Sequence, residues 1–328
     1  MRIAAFGDIN VDVILTVDRL PRRGEEVFST DRSEMLGGSA ANTAAVLSRL
    51  GHQVTVMGAV GSDTSGTLAL TTLENIGVSC GFASQLPELA TAMNTILITP
   101  DGERTMVGAR GASVAYRNVP GWESGIDWLH ISGYALMEGA QQKSALEAIR
   151  IASGLGIKMS MDVPNEVGTR VRDIVAGHLG SFTIVAGNEG SLREVTGSDH
   201  PVEKLMEIGV SMVAITSGGD PLVLANGANR ISLTPPRVNP IDATGAGDAF
   251  IAGLIAATLG DVEIGPSAVL GAACGAAATL VVGASRTLDD PGIWDHLLRP
   301  ELWSDAEPGW LRQVSDLVRG DTLSLDPE

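Results

Sequence analysis

Short apolar runs rich in β-branched residues alternate along the chain with longer Ala- and Leu-rich stretches. The runs 2–6, 54–60, 95–99, 128–131, 158–162, 183–186 and 212–216 have strand length and composition. The stretches 40–50, 65–75, 141–153, 202–208, 246–259 and 266–281 have helix length and periodicity. Such alternation predicts βαβ units, a mostly parallel sheet with right-handed crossovers, and ligand contacts at the strand C-terminal ends. Two regions break the rhythm. Segments 11–17 and 26–35 follow the first strand with only a Pro21–Gly24 turn between them, a pattern that suits a small antiparallel flap. Segment 91–111, with its Asp101-Gly102 turn, adds two more strands to it. Beyond Pro300 the chain is polar and acidic but carries Trp303, Trp310, Leu311 and Val318, which suits an amphipathic helix folded back on the body and frayed over 321–328. The expected organisation is a body over 1–299, with a lid from about 11–36 and 91–111, and a partly helical extension over 300–328.

Composition narrows the function. Apolar residues make up 44% of the 328, enough for a large core, while aromatics make up only 4% and glycine supplies 40 residues. Small side chains of this kind pack helices closely onto a parallel sheet. The formal net charge is −17 and no Lys/Arg cluster stands out, which argues against a nucleic-acid partner. Phosphate binding is still open to such a chain, because converging backbone N–H groups bind anions locally. Cys80 and Cys274 lie far apart with no metal-ligand spacing, so neither a zinc site nor a disulfide framework is expected. The first residues read as a strand rather than a leader, and the longest apolar run, 268–282, is short and broken by glycines. The expectation is a cytoplasmic protein with no membrane partner.

The most informative stretch is Ile241-Asp242-Ala243-Thr244-Gly245-Ala246-Gly247-Asp248-Ala249-Phe250, followed at once by a helical apolar pattern. Glycines 245 and 247 let the backbone turn tightly and approach a ligand, and the helix start offers unpaired N–H groups to an anion. That suits the charge of a phosphoryl group in transfer. Asp248 would repel a statically bound phosphate, a conflict that disappears if it faces the attacking hydroxyl and takes its proton. A lone Asp at a helix start is more often a capping acid; the flanking glycines and Asp242-x-Thr244 reverse that preference. No lysine stands in a Walker A context, and Phe250 occupies the place where a dinucleotide fingerprint from Gly245 needs Gly or Ala.

A second glycine motif, Gly37-Gly38-Ser39-Ala40-Ala41-Asn42, opens the helix that ends near Gly51, with Ser39 as the expected N-cap. Asn42 can offer its amide to a substrate hydroxyl or to a neighbouring loop. Gly7-Asp8-Ile9-Asn10-Val11-Asp12 follows the first strand, where Asp12 can accept hydrogen bonds from adjacent sugar hydroxyls.

These two glycine motifs, in this order and about 200 residues apart, resemble those of the ribokinase-like carbohydrate kinases, the PfkB family, over 2–288. Gly58-Ala59-Val60-Gly61-Ser62-Asp63-Thr64-Ser65-Gly66, Gly102-Glu103-Arg104-Thr105 and Thr216-Ser217-Gly218-Gly219 add family-like pieces. The resemblance implies a Rossmann-like three-layer α/β/α body with a small β lid. It implies Asp248 as base and Gly245, Ala246 and Gly247 as the anion hole. Asn10, Asp12, Gly37, Gly38, Asn42 and Arg104 would hold the substrate. Glu138, after Ser132-Gly133-Tyr134, can meet a sugar hydroxyl. Asn188, Thr216, Gly218, Ala278 and Gly283 would meet ATP, with Mg²⁺ bridging its phosphates. Asp242 and Thr244 match a monovalent-cation site in members activated by K⁺. Lids of the family often pair across homodimers. The chain departs from the family at Ser191, where the Asn-x-x-Glu motif has Glu. It departs also at Pro221, where the nucleotide loop has a second Gly, and at Ser39, where ribokinases have Lys. Glu189 is the candidate to replace the missing Glu.

The leading reading is an ATP-dependent kinase acting on a hydroxymethyl group of a small sugar or sugar acid. A nucleoside kinase of the same fold is the second reading, with Phe28, Tyr116 or Tyr134 to stack a base. A catalytically weak sugar- or nucleotide-binding sensor is the third, which an intact Asp248 argues against.

Overall fold

The structure, a computed structural model, describes residues 1–101, 103–165, 167–282, 288, 290 and 292–319. Strand β1 (Arg2–Phe6) is followed without a helix by β2 (Asn10–Val17) and β3 (Ser29–Gly37). Helix α1 (Ser39–Arg49) leads to β4 (Gln53–Met57), β5 (Ala59–Gly61), α2 (Thr64–Asn75), β6 (Ser84–Leu86), β7 (Ala92–Ile98) and β8 (Arg104–Ala109). Regular alternation then sets in with β9 (Trp128–Ser132), α3 (Gly139–Leu155), β10 (Lys158–Val163), α4 (Gly168–Val175), β11 (Ile184–Gly187), α5 (Glu189–Thr196), α6 (Pro201–Glu207) and β12 (Met212–Ile215). A hairpin of β13 (Leu222–Asn226) and β14 (Asn229–Leu233) precedes α7 (Ala246–Leu259), α8 (Ile264–Thr279), α9 (Gly292–Leu297) and α10 (Pro308–Arg319).

Eight strands form the central sheet in the order β14-β13-β12-β11-β10-β9-β1-β4. The pairings from β4 through β12 are parallel; β13 and β14 join antiparallel at one edge. Alternate residues of each strand feed opposite layers. From β1, Ile3 and Ala5 join a core with α1, α7 and α8, while Ala4 and Phe6 join a second core with α3 to α6. This is why the strands read as continuous apolar runs: both faces are covered. Helices α7 and α8 are apolar all round and almost wholly buried. They pack closely because a Cβ on Gly253 would lie 2.9 Å from Gly271 Cα.

The lid is a separate four-stranded sheet, β3-β2-β7-β8. Its β2–β3 and β7–β8 pairs are antiparallel, as expected, and are joined through a parallel β2–β7 ladder. Several expectations need correction. The run 54–60 splits at Gly58, where a side chain would collide with Gly7 O and Ile9. Gly38 rather than Ser39 is the N-cap of α1, with φ 96° that favours glycine, and Ser39 is the first helical residue. Gly51, with φ 86°, ends that helix in a Schellman arrangement: its N–H donates to Ser48 O, and His52 N–H to Leu47 O. The hydrophobic pattern does not predict the hairpin β13–β14 or helices α4 and α5. In the extension, Leu311 and Val314 of α10 are buried, and Trp310 lies against Gly265 of α8, where any side chain would strike its ring. Residues 321–328 lie outside the described residues.

Candidate active site

The strand order reverses beside β1: the chain runs from β1 to β4 on one side, then returns to β9 and β10 on the other. Such a switch opens a crevice at the strand C-terminal ends. Here it holds a cavity of about 870 Å³, walled by residues from the ends of β1, β9 and β10, from the lid, and from the first turn of α7. Of the residues singled out in the sequence, Asn10, Asp12, Gly38, Asn42, Arg104, Asn188, Thr216, Thr244, Gly245, Gly247 and Asp248 line it.

The glycine pair shapes one end. A side chain at Gly37 would land on the Asp12 carboxylate, and one at Gly38 on Asp8 O. Their absence lets Asp12 lie against the backbone, 4% exposed, with Oδ1 accepting from Asn94 Nδ2 at 2.8 Å. Burial pushes the Asp12 carboxyl up to about 6; Asn94 opposes the shift and Asp242 adds to it. Asn10 Oδ1 and Asn42 Oδ1 are buried and have no hydrogen-bond partner among the described residues.

At the other end, Gly245 takes φ 75° as the N-cap of α7. The Ala246 N–H turns back to Ala243 O at 3.3 Å, so the expected anion hole loses that donor. The N–H groups of Gly247 and Asp248 have no partner among the described residues, and both residues face the cavity. Asp248 Oδ2 accepts from Asn42 Nδ2 at 2.8 Å, which ties the two glycine motifs together across 206 residues of sequence. Desolvation, then the nearby Asp162 charge, push the Asp248 carboxyl up to about 6 against the pull of Asn42.

Other candidates fall differently. Arg104, from β8 of the lid, ion-pairs with Asp242 and donates to Thr244 Oγ1 at 2.7 Å. The side chains matched to a monovalent cation therefore face a guanidinium, and Asp242 does not line the cavity. Asn188 accepts from Ser191 N–H at 2.8 Å as the N-cap of α5 and donates to Asn165. Ser191 is buried and donates to Pro164 O at 3.1 Å, while Glu189 pairs with Arg193 at 2.7 Å and stays off the cavity wall. Gly37, Glu138, Ala246, Gly218 and Ala278 are not on the wall; Ala278 is in the core of α8. Gly283 and Gly102 lie outside the described residues.

Sequence reasoning passed over Asp8, Asn94, Arg110 and Asp162, which all line the cavity. Arg110 Nη2 lies 3.0 Å from Asp8 Oδ1 and donates to Gln141 Oε1 at 2.7 Å and Tyr134 O at 2.9 Å. No motif marks Arg110. Asp162 carried a signal, as a lone acid at the end of an apolar strand.

The family model for the pfkB family carbohydrate kinases matches residues 1–291. The chain is 30% identical over 291 residues to the ATP-dependent ribose-1-phosphate kinase of Halopiger xanaduensis, covering 84% of this chain and 91% of that one. It is 28% identical to the fructokinase of Vibrio alginolyticus, over 77% of this chain and 88% of that one. The crystal structure of the Methanocaldococcus jannaschii nucleoside kinase, an archaeal member of the ribokinase family, superposes with a TM-score of 0.77 at 19% identity, over 90% of this chain and 97% of that one. With a family match over most of its length and the lidded α/β fold to go with it, the chain belongs to the pfkB family of carbohydrate kinases and is an ATP-dependent kinase.

Proposed function

We propose that the protein transfers the γ-phosphoryl group of ATP to a primary hydroxyl of a small neutral polyol, with Asp248 as general base. The observation that carries this reading is the Asp12 carboxylate on the cavity wall, with Asn10 and Asn42 lining the wall beside it. Acceptors of this kind are satisfied by hydroxyl donors. The cations nearby are already committed, Arg110 to Asp8 and Arg104 to Asp242. An anionic acceptor would meet Asp8, Asp12, Asp162 and Asp248, with no uncommitted guanidinium beside Asp12 among the described residues. This is narrower than the sequence reading, which included sugar acids. Arg170 also lines the cavity, on α4 next to α5, the side that carries Asn188. That suits the nucleotide phosphates better.

In the proposed reaction the hydroxyl proton passes to Asp248, the oxygen bonds to the γ-phosphorus in line, and the bond to the β-phosphate oxygen breaks. The free N–H groups of Gly247 and Asp248 stabilise the transferring group, and the lid excludes water. Mg²⁺ would arrive on the ATP phosphates with much of its water shell, since no carboxylate stands at position 191.

A nucleoside acceptor is the second reading. Tyr134 is 38% exposed and lines the cavity together with Met106 and Met137, a surface on which a base can stack. Matched acceptors test the central feature: a neutral sugar or nucleoside against its 1-phosphate or carboxylate counterpart. Neutral acceptors are expected to show kcat/KM at least about ten-fold higher, about 1.4 kcal/mol. A preference for the anion would contradict the assignment.

The pH profile follows from Asp248. A base acts only when ionised, so kcat/KM should be flat above about pH 7 and fall below about pH 6 as the carboxyl takes up its proton. An acid limb near pH 4 would remove support for a desolvated base.

A further inference from the structure

The chain that leads into α7 has little apolar packing to hold it. Ile241 is 65% exposed, Ala243 is exposed, and Thr244 to Ala246 are half-buried. Polar ties take the place of packing. On the body side, the N–H groups of Ile241 and Asp242 donate to the O atom of Thr279, the last residue of α8, at 2.7 and 3.1 Å. Within the loop, Asp242 Oδ1 accepts from the Thr244 N–H at 2.8 Å, which closes a tight turn directly before Gly245. The N–H groups of Gly247 and Asp248, without partners among the described residues, follow in the first turn of the helix.

The tie on the cavity side comes from the lid. Arg104 Nη1 donates to the same Asp242 Oδ1, and also to Thr244 Oγ1 at 2.7 Å. One guanidinium thus spans both ends of the turn. The Asp242 side chain is 2% exposed and that of Arg104 28%, so water screens this pair less than it screens a surface pair such as Arg193 and Glu189. The position of Arg104 in the lid gives the tie its leverage. Strands β7 and β8 pair antiparallel with Arg104 opposite Ile98, at the free end of the hairpin. At its other end the hairpin joins the body beside Arg110, which holds Asp8. The rest of β8, Thr105–Ala109, is exposed. The free end of the hairpin therefore meets the body through a charged contact rather than through the apolar face of a buried strand.

We infer that Arg104 is a positioning residue: from the lid it fixes the turn at Asp242–Thr244, and so sets the direction of the Gly247 and Asp248 N–H groups at the start of α7. Lid and anion hole then form together, and an acceptor seated under the lid finds those N–H groups in place. The inference rests on the reading of these two groups as the anion hole of the proposed reaction.

The test combines steady-state kinetics with amide hydrogen exchange of the full chain. Arg104→Met keeps much of the apolar stem and removes the fork of donors. Its kcat should fall at least about ten-fold, about 1.4 kcal/mol, with KM for the acceptor within a few-fold, because Arg104 acts on the loop and not on the acceptor. Asp242→Asn keeps an oxygen to accept from the Thr244 N–H and removes the charge. It should lose a similar amount, and the double variant little more than either single one. Arg104→Lys keeps the charge without the fork and should recover part of kcat. In Arg104→Met without substrate, the amides of 244–248 should exchange faster, while those of β9 and β10 should not change. A raised KM for ATP or acceptor with an unmoved kcat would make Arg104 a binding residue and overturn the inference. Unaltered exchange over 244–248, or losses that add in the double variant, would overturn it as well. The exchange measurement needs no acceptor, so failure of the inference and failure of the proposed reaction are told apart.

Discussion

Asp248→Asn is expected to lower kcat by about 10²–10⁴-fold while leaving KM for the acceptor within a few-fold. The substitution keeps the size of the side chain and an oxygen that can accept from Asn42 Nδ2, now 2.8 Å away. It removes the only property the proposal needs, the ability to take a proton. The first turn of α7 should persist, since Gly245 sets its geometry. The affinity for ATP should hold or improve, because a negative charge disappears beside the transferring phosphoryl group. Steady-state kinetics at saturating ATP would separate the terms. A variant with near-normal kcat would remove Asp248 from the chemistry, and one that no longer binds acceptor would make it a binding residue.

Asp12→Asn should move activity and stability in opposite directions. The charged acceptor contributes about 1.5–3 kcal/mol to each hydroxyl it holds, so kcat/KM should fall by about 10–150-fold. The fold, in contrast, should gain. The Asp12 carboxyl rises from its usual 3.8 to about 6 because burial penalises the charge. The folded state then binds protons more tightly than the unfolded one. Its stability contribution is present below about pH 4 and is lost as pH rises through about 6. At pH 8 the ionised form costs the fold about 3 kcal/mol, which the amide avoids. The melting temperature should rise by several degrees at pH 8, and the gain should shrink toward pH 4. A lower melting temperature at both values would mean that Asp12 stabilises the lid rather than straining it.

The parts of the fold that were legible in the sequence are those where both faces of an element are covered. The strands β1, β9, β10 and β12 read as apolar runs because alternate residues feed separate cores. Helices α7 and α8 read as helices from length and glycine-spaced apolar content. The lid was legible because two segments follow β1 with no helical period between them. The short helices α4 and α5 were hidden by their polar faces and few buried positions, and β13–β14 because its second strand is largely exposed.

The candidate site was legible where backbone conformation demands a particular residue. Gly38 and Gly245, at positive φ, and Gly37, under Asp12, announce themselves. The contact between Asn42 and Asp248 did not, because nothing local relates positions 206 apart. Arg110, just after β8, meets Asp8, just after β1, and Arg104 at the start of β8 meets Asp242, ahead of α7, only in the folded chain. Long-range ion pairs of this kind have no sequence period to reveal them. The same property leaves Ser191 ambiguous as a residue and plain as a structure, a buried hydroxyl bonded to Pro164 O.

The most direct measurement is ATP consumption by the purified protein, with Mg²⁺ and K⁺ present, against a panel of pentoses, hexoses, keto-sugar acids and nucleosides, run beside Asp248→Asn. Turnover on a neutral sugar or nucleoside, reduced at least about 10²-fold in the variant, is the expected result. Turnover that survives in the variant would contradict the assignment of the base. No turnover on any acceptor, with a sugar or nucleoside nevertheless raising the melting temperature, would contradict the proposed reaction and leave a binding role for the same cavity.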